Sequence, residues 1–314
     1  MHLITYQVKD QSRCGLLLNN QIVDLQRACN YYSRAARLPY LFPDKGWTIS
    51  LADFLTCGPD AIRLFQKAVT FIQQEGAMCA PLHYKQGILA QLDEGELLAP
   101  ILRPGKIICV GGNYPGPDPS KNTPQYPTLF LKPSSSITGQ QSAILLPPAT
   151  QNVAYEVELA VVIGQRAKYL TPERAFACVA GYTLANDIGD RDFEKRTSQW
   201  TTGKLMDTFT PLGPVLVTRD EIEDPGHLEM HTLLNGQVVQ KGNTSQMIFN
   251  ISTLISYISS LTTLEPGDVI LTGCPKMMGD HPAPAIALKP GDRLEINIEK
   301  IGCLTNTVQS EPIL

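Results

Sequence analysis

Residues 155–164 read YEVELAVVIG, an apolar run with two carboxylates set two positions apart. Val157, Leu159, Val161 and Ile163 alternate with Glu156, Glu158, Ala160 and Val162, the period-two pattern of a β-strand. Side chains two apart on a strand share a face, so Glu156 and Glu158 stand side by side. Burying even one of them uncompensated would cost about 3 kcal/mol or more. A solvated sheet face avoids that cost, and so does a cation seated between the carboxylates. A second apolar run, GYTLANDI at 181–188, delivers a third carboxylate, Asp187. Three carboxylates with no His or Cys beside them suit a hard divalent ion that keeps some of its waters, Mg²⁺ or Mn²⁺ in preference to Zn²⁺.

The chain of 314 residues is 43% hydrophobic and 18% charged, enough for a large domain plus a smaller one, each with a core. A formal net charge of -4 gives no basic footprint, so neither a nucleic acid nor an anionic membrane is an expected partner. No apolar run approaches the roughly 18 residues of a membrane span, and MHLITYQVKD lacks the build of a signal peptide. A cytoplasmic protein is expected. The 8 cysteines are scattered without CxxC pairs, which disfavours a zinc cage or a disulfide framework.

Residues 1–100 read as a small α+β domain. LITYQV and GLLLNNQIVDL predict strands joined by polar turns, Ser50 predicts a cap for a short helix over LADFL, and Ile62, Phe65, Val69 and Ile72 predict a helix from Asp60 to Glu75. Residues 101–314 then read as a β-rich domain. KIICVG is a strand, and the proline-rich loop 112–127 after it has the length of a lid. TPERAFACVAG predicts a short helix capped by Thr171 and ended by Gly181. Asn235-Gly236 predicts a type I′ hairpin turn. ISTLISYISSLTTL places Ile251, Leu254, Ile255, Ile258 and Leu261 on one helical face, and DVILTG and RLEINIE are strands. Many strands and few helices favour a rolled β fold, α+β overall but mostly β.

Three ordered motifs carry a resemblance: YEVELAVVIG, GYTLANDIGDRD at 181–192 and KLMDTFTPLGP at 204–214, supported by FLKP at 130–133, LLNGQVVQKGNTSQMIF at 233–249 and PGDVILTG at 266–273. In these the chain resembles the fumarylacetoacetate hydrolase family from about residue 104 to the C-terminus, and only loosely before it. The resemblance implies a mixed β-sandwich roll with a small N-terminal domain. It also implies a metal held by Glu156, Glu158 and Asp187, with Arg191 and Lys204 facing the substrate. Tyr114, Glu194, Thr272 and Cys274 are the implied substrate-binding positions, and a homodimer is implied by analogy. The sequence also departs from the family. Hydrolytic members carry a His and, three residues on, a Glu after the Asn-Tyr pair, whereas Pro117 and Ser120 stand at those positions and Asp118 is the only nearby acid. No histidine lies between His83 and His227. A common Gln is Glu194, and the loop TGTPxGVG has become TGCPKMMG, which introduces Cys274, Met277 and Met278.

A divalent ion with open positions would accept a small-molecule substrate that chelates through two oxygens, such as a 2-oxo acid or a 1,3-dicarbonyl, and would stabilise an enolate as a Lewis acid. Arg191 suits a substrate carboxylate and Lys204 a developing oxyanion. Without the His and Glu, water attack lacks its obvious base. The residues therefore point to a decarboxylase or tautomerase-type C–C lyase of an oxo acid ahead of a water-dependent C–C hydrolase of an acylpyruvate. Retention of all three carboxylates speaks against a pseudoenzyme with a binding role.

Overall fold

The computed structural model describes residues 1–42, 48–116, 124–276 and 286–312. Pro117, Asp118, Ser120, Met277 and Met278, singled out above, lie outside the described residues.

The acidic strand runs Val157–Ile163 and is buried along its whole length. Val157, Leu159, Val161 and Ile163 pack into one core with the Ile251–Leu261 helix, while Ala160 and Val162 pack into a second core with the N-terminal helices. Both faces are thus covered, and alternation here separates two apolar layers instead of core from solvent. Glu158 shares the parity of Ala160 and Val162 but sits at the strand's beginning, and Glu156 lies one step before it. The strand pairs antiparallel with Val179–Asn186, which sets Glu158 opposite Ala185, and with Val269–Leu271. These belong to a 12-stranded sheet whose path continues through Ile107–Gly111 to the edge strand Thr128–Lys132.

In the other direction the sheet runs through Thr210–Thr218 into His2–Val8, Gln11–Leu18, Gln21–Asp24 and Leu89–Gln91. Residues Leu3, Phe54 and Phe65 share one core with Val162, Ala185 and Leu271. Among the described residues, these side chains of the first hundred positions therefore pack against the sheet of the larger part of the chain. The strand His2–Val8 joins Thr210–Thr218 through His2 and Leu3 and pairs along most of its length with Gln11–Leu18, and the helices bury their apolar faces on the same sheet.

A second sheet of five strands, in the order Gln237–Asn243, Glu229–Leu234, Arg293–Ile298, Gly302–Ser310 and Ala143–Leu146, completes the rolled, mostly β architecture. Asn235 at φ 51° and Gly236 at φ 81° form its tight hairpin, the positive pair that a type I′ turn requires. The strand Gly302–Ser310 was not foreseen from the sequence.

The helix expected over 60–75 ends at Gly76, whose φ of 64° is non-helical, and a second helical stretch follows it without a loop to Lys85. Asp60 falls in the first turn of the first stretch. Two local expectations differ from the structure. Residues Pro172–Cys178 form a 3₁₀ helix without a Thr171 capping bond, and Gly181 lies inside the next strand, where a Cβ would collide with the Val217 carbonyl. Leu261, in the last turn of its helix, is 59% exposed. Ser50 does cap Leu51–Thr56, accepting from the Asp53 amide at 3.1 Å.

Candidate active site and metal centre

Where the acidic strand begins, Glu156 and Glu158 line a cavity of about 140 Å³. Among the described residues it is lined by Glu156, Glu158, Asp187, Arg191, Glu194, Lys204 and Cys274, with Phe130 and Trp200 as apolar walls. Gly111 makes room for Trp200, since a Cβ there would overlap the indole. Grooves of about 590 and 540 Å³ elsewhere are larger. They carry no cluster of three metal-ligating side chains among the described residues, so size is a poor guide to the chemistry here.

Backbone pairing sets the carboxylates. The Asn186 side chain accepts from the Glu156 amide at 2.9 Å, and the Asp187 amide donates to the Glu156 carbonyl at 2.9 Å. Gln240, buried on the second sheet, accepts from the Val157 amide at 3.0 Å and donates to the Pro275 carbonyl. It thereby joins the start of the acidic strand to the loop that carries Cys274. Asp190 caps the short helix Arg191–Glu194, accepting from the Asp192 and Phe193 amides at 2.9 and 3.0 Å, and so fixes both Arg191 and Glu194. Gly189 and Gly203 leave space for the Glu194 and Lys204 side chains, which a Cβ at Gly189 would strike.

The charges form one network. Lys204 Nζ donates to Glu156 Oε2 and to the Asp187 carbonyl, both at 2.9 Å, and lies 3.0 Å from Asp187 Oδ2 and 3.8 Å from Glu194 Oε1. Arg191 donates to Glu156 and, at 2.8 Å, to Glu194 Oε2. Lys132, fully buried, donates to Asp187 Oδ1 at 2.6 Å and to the Ile188 and Phe209 carbonyls at 2.8 Å. Among the described residues, Glu158 receives the Gly273 amide at 2.7 Å on Oε2. Burial opposes the charge on Glu156, yet Lys204 and Arg191 override it and hold the carboxyl down at about 2. Glu158 goes the other way: burial, then the charges of Asp187 and Glu156, push it well above the carboxylate range. Burial also opposes the charge on Lys204, but Asp187, Glu156 and Glu194 outweigh it and keep the ammonium.

Among the described residues, four carboxyl groups (Glu156, Glu158, Asp187, Glu194) thus meet three cations (Lys132, Arg191, Lys204), so with all four ionised the cluster is one positive charge short, and the raised carboxyl of Glu158 is where the shortfall falls. Two buried oxygens, Asp187 Oδ2 and Glu194 Oε1, have no hydrogen-bond partner among the described residues. For Asp187 Oδ2 the 3.0 Å approach of Lys204 is an ion pair by distance that lacks hydrogen-bond geometry. The donor atoms of Glu156, Glu158 and Cys274 lie within 4.8 Å of one another. Donor chemistry, charge deficit and orphaned oxygens all fit a divalent cation. The expected trio of Glu156, Glu158 and Asp187 meets in one cavity, with Asp187 Oδ1 bonded to Lys132 and Oδ2 without a hydrogen bond among the described residues, while the tightest cluster of donor atoms is that of Glu156, Glu158 and Cys274.

The remaining expected positions divide. Arg191, Lys204, Glu194 and Cys274 line the cavity. Tyr114 and Thr272 do not: the Tyr114 hydroxyl donates to Met230 Sδ at 3.4 Å, and the Thr272 hydroxyl to the Leu159 carbonyl at 2.9 Å. Asn113, next to Tyr114, is a clamp, donating to the Phe249 and Thr272 carbonyls at 3.0 and 2.8 Å. Lys132 was missed. FLKP was the available signal, but nothing local says that its lysine meets Asp187.

Residues 106–309 match the model of the fumarylacetoacetate hydrolase C-terminal family. A Homo sapiens protein named oxaloacetate tautomerase FAHD2A, mitochondrial, is 44% identical over 233 residues, 71% of this chain and 74% of that protein. Among solved structures, 5-carboxymethyl-2-hydroxymuconate delta-isomerase from Mycobacterium smegmatis is 30% identical, with a TM-score of 0.72 over 99% of this chain and all (100%) of that one. Maleylpyruvate hydrolase from Sphingobium sp. SYK-6, solved with manganese(II) and pyruvate, is 27% identical, with a TM-score of 0.71 over 99% of this chain and 100% of that one. Among the described residues no helix is long and apolar enough to cross a membrane. The chain is an enzyme of the fumarylacetoacetate hydrolase family.

Proposed function

We propose that the chain is a divalent-metal-dependent tautomerase of a 2-oxo dicarboxylic acid of the oxaloacetate type. The observation that carries this reading is the pairing, in one small cavity, of the Glu156 and Glu158 carboxylates with the Lys204 ammonium and the Arg191 guanidinium, and with no histidine among the described lining residues. At about 140 Å³ the space falls below the roughly 300–1,000 Å³ typical of drug-sized ligands, which favours a substrate of few atoms. The tautomerase relative supports the same substrate class.

Glu156, Glu158 and either Asp187 or Cys274 would hold the ion, Mg²⁺ or Mn²⁺. When bound it supplies a Lewis acid for the oxo oxygen and an adjacent carboxylate oxygen. Arg191, already forked between Glu156 and Glu194, binds the far carboxylate of the substrate. Lys204 places its fixed positive charge beside the oxo oxygen as the C–H bond next to it breaks. Tautomerisation then needs a base to carry one proton from carbon to that oxygen. The Glu194 carboxylate, which lines the cavity with Oε1 free of hydrogen bonds among the described residues, would take the proton from carbon and return it to the oxygen, and no water is consumed. Release of CO₂ from the same substrate would leave the same electron pair beside the same lysine, so decarboxylation is a side reaction of this site.

Hydrolysis of an acylpyruvate is the second reading, favoured by the likeness to maleylpyruvate hydrolase along nearly the whole chain. The deciding experiment follows oxaloacetate by proton NMR in D₂O with Mg²⁺ or Mn²⁺, beside assays for CO₂ and for acylpyruvate cleavage. Accelerated exchange of the methylene protons that Lys204→Met abolishes supports the tautomerase. Cleavage without exchange would put the hydrolase first. A homodimer and a cytoplasmic location complete the reading. Sedimentation tests the first. Cell fractionation tests the second, against the mitochondria named for the human relative.

A further inference from the structure

We propose that Trp200 sets the size of substrate this chain accepts. Its indole walls off the space beside the carbon next to the oxo group, so that short 2-oxo acids enter and those bearing a ring on that carbon do not. The assignment rests on the reading that the cavity binds a 2-oxo acid. Among the described residues the lining has two chemistries: carboxylates, a lysine and an arginine on one part, and Val110, Phe130 and Trp200 on the other. A 2-oxo acid spends its oxygens on the charged part, which leaves its carbon chain for the apolar part.

What makes Trp200 a wall is its backing. The indole rests on the backbone of Gly111, where a Cβ would collide with the ring. Phe130, on the edge strand Thr128–Lys132, meets it edge to face, with ring centroids 6.0 Å apart and planes at 86°. Packed backbone yields far less than a side chain does, so the indole has no room to retreat on the Gly111 side. Trp200 is also 41% exposed, so it stands between the cavity and solvent. It joins the turn that carries Lys204 through its backbone carbonyl, which accepts from the Gly203 amide at 2.9 Å, a bond that any residue would keep. Truncating the side chain therefore widens the apolar part and spares the charge network.

The test compares pyruvate with phenylpyruvate, two 2-oxo acids that differ by a phenyl ring on the carbon in question. Titration calorimetry measures their affinities for the Mn²⁺-loaded full chain, and proton NMR in D₂O measures exchange at that carbon, in wild type, Trp200→Phe and Trp200→Ala. We expect the wild type to favour pyruvate. Trp200→Ala should shift the ratio of affinities toward phenylpyruvate by about tenfold or more, with Trp200→Phe in between. Retained pyruvate binding shows that the alanine variant is folded; were it unfolded, Trp200→Phe would still have to shift the ratio in the same direction. An unmoved ratio, equal losses for both acids, or a wild type that binds phenylpyruvate as well as pyruvate would overturn the proposal. A shifted ratio without exchange on any acid, oxaloacetate included, would remove the tautomerase reading and leave the wall standing. If the metal-loaded wild type bound neither acid, the oxo-acid reading would fall, and the wall with it.

Discussion

Two clusters of buried charge sit on the same sheet and are built to opposite rules. In the N-terminal stretch, Asp24 is 1% exposed and receives the Tyr6 hydroxyl at 2.7 Å, the Arg13 guanidinium through two nitrogens, and the Arg27 amide at 2.9 Å. One carboxylate meets one guanidinium, and both Asp24 oxygens are occupied. Around Glu158, among the described residues, four carboxyl groups share three cations, and two buried oxygens lack hydrogen bonds. A closed cluster holds the sheet and its helices together; an unbalanced one keeps a place for something else. The deficit distinguishes the site, since burial and ion pairing are common to both.

The largest effect should come from opening the closed cluster. Asp24→Ala strands the Arg13 guanidinium in the core, and we expect a loss of about 3–5 kcal/mol, read from urea unfolding. The fall should come with no change in Mg²⁺ affinity under folding conditions. A loss below about 1 kcal/mol would mean that Arg13 escapes to solvent, and the contrast between the clusters would weaken.

Next in size is Lys204→Met, which removes the charge placed for the oxyanion. We expect kcat for the oxo-acid reaction to fall by about 10²–10³-fold, equivalent to about 3–4 kcal/mol at the transition state. Steady-state kinetics with saturating metal would separate this from a weakened KM. A change confined to KM would assign Lys204 to ground-state binding alone.

Gln240→Leu should act on both stability and site geometry, because one side chain holds the Val157 amide and the Pro275 carbonyl. An unpaired buried amide costs about 1–3 kcal/mol, and the loop carrying Cys274 loses its tie to the acidic strand. Thermal unfolding measures the first effect and divalent affinity the second. Lower stability with unchanged affinity would show that the Cys274 loop is placed without Gln240.

How much of this was legible follows from the range over which each feature is decided. The strand around Val161 was visible because alternation is local, and the Asn235-Gly236 turn because its backbone needs are local. Long ordered motifs made the convergence of Glu156, Asp187, Arg191 and Lys204 expectable. The pairing of Lys132 with Asp187 spans 55 positions and left no trace in either segment. Tyr114 and Thr272 flank the cavity in sequence, yet which way a hydroxyl turns depends on Met230 and on the Leu159 carbonyl, both far along the chain. The shared core was hidden for the same reason: the pairing of His2 with Val217 is a long-range event that length and composition do not encode.

The smallest effect carries the opposite sign, and it sharpens the comparison most. With no metal bound, Glu158 is the member of the cluster least served by positive charge, and its carboxyl is raised well above the ordinary 4.5. A raised carboxyl contributes its full stability below the unfolded value near 4.5 and loses it as pH climbs through the folded value. Glu156, held at about 2, does the reverse: its contribution is present above 4.5 and disappears as pH falls toward 2. Glu158→Gln keeps an acceptor for the Gly273 amide and removes the excess negative charge. The metal-free variant should therefore gain about 1 kcal/mol at neutral pH, keep the acid limb set by Glu156, and lose the decline above 4.5. Divalent binding should vanish along with it. Unfolding of metal-free wild type and variant between pH 3 and 8 would check both limbs. A variant less stable than the wild type at pH 7 would mean that Glu158 is paired as fully as Asp24, and that the charge deficit does not mark the site.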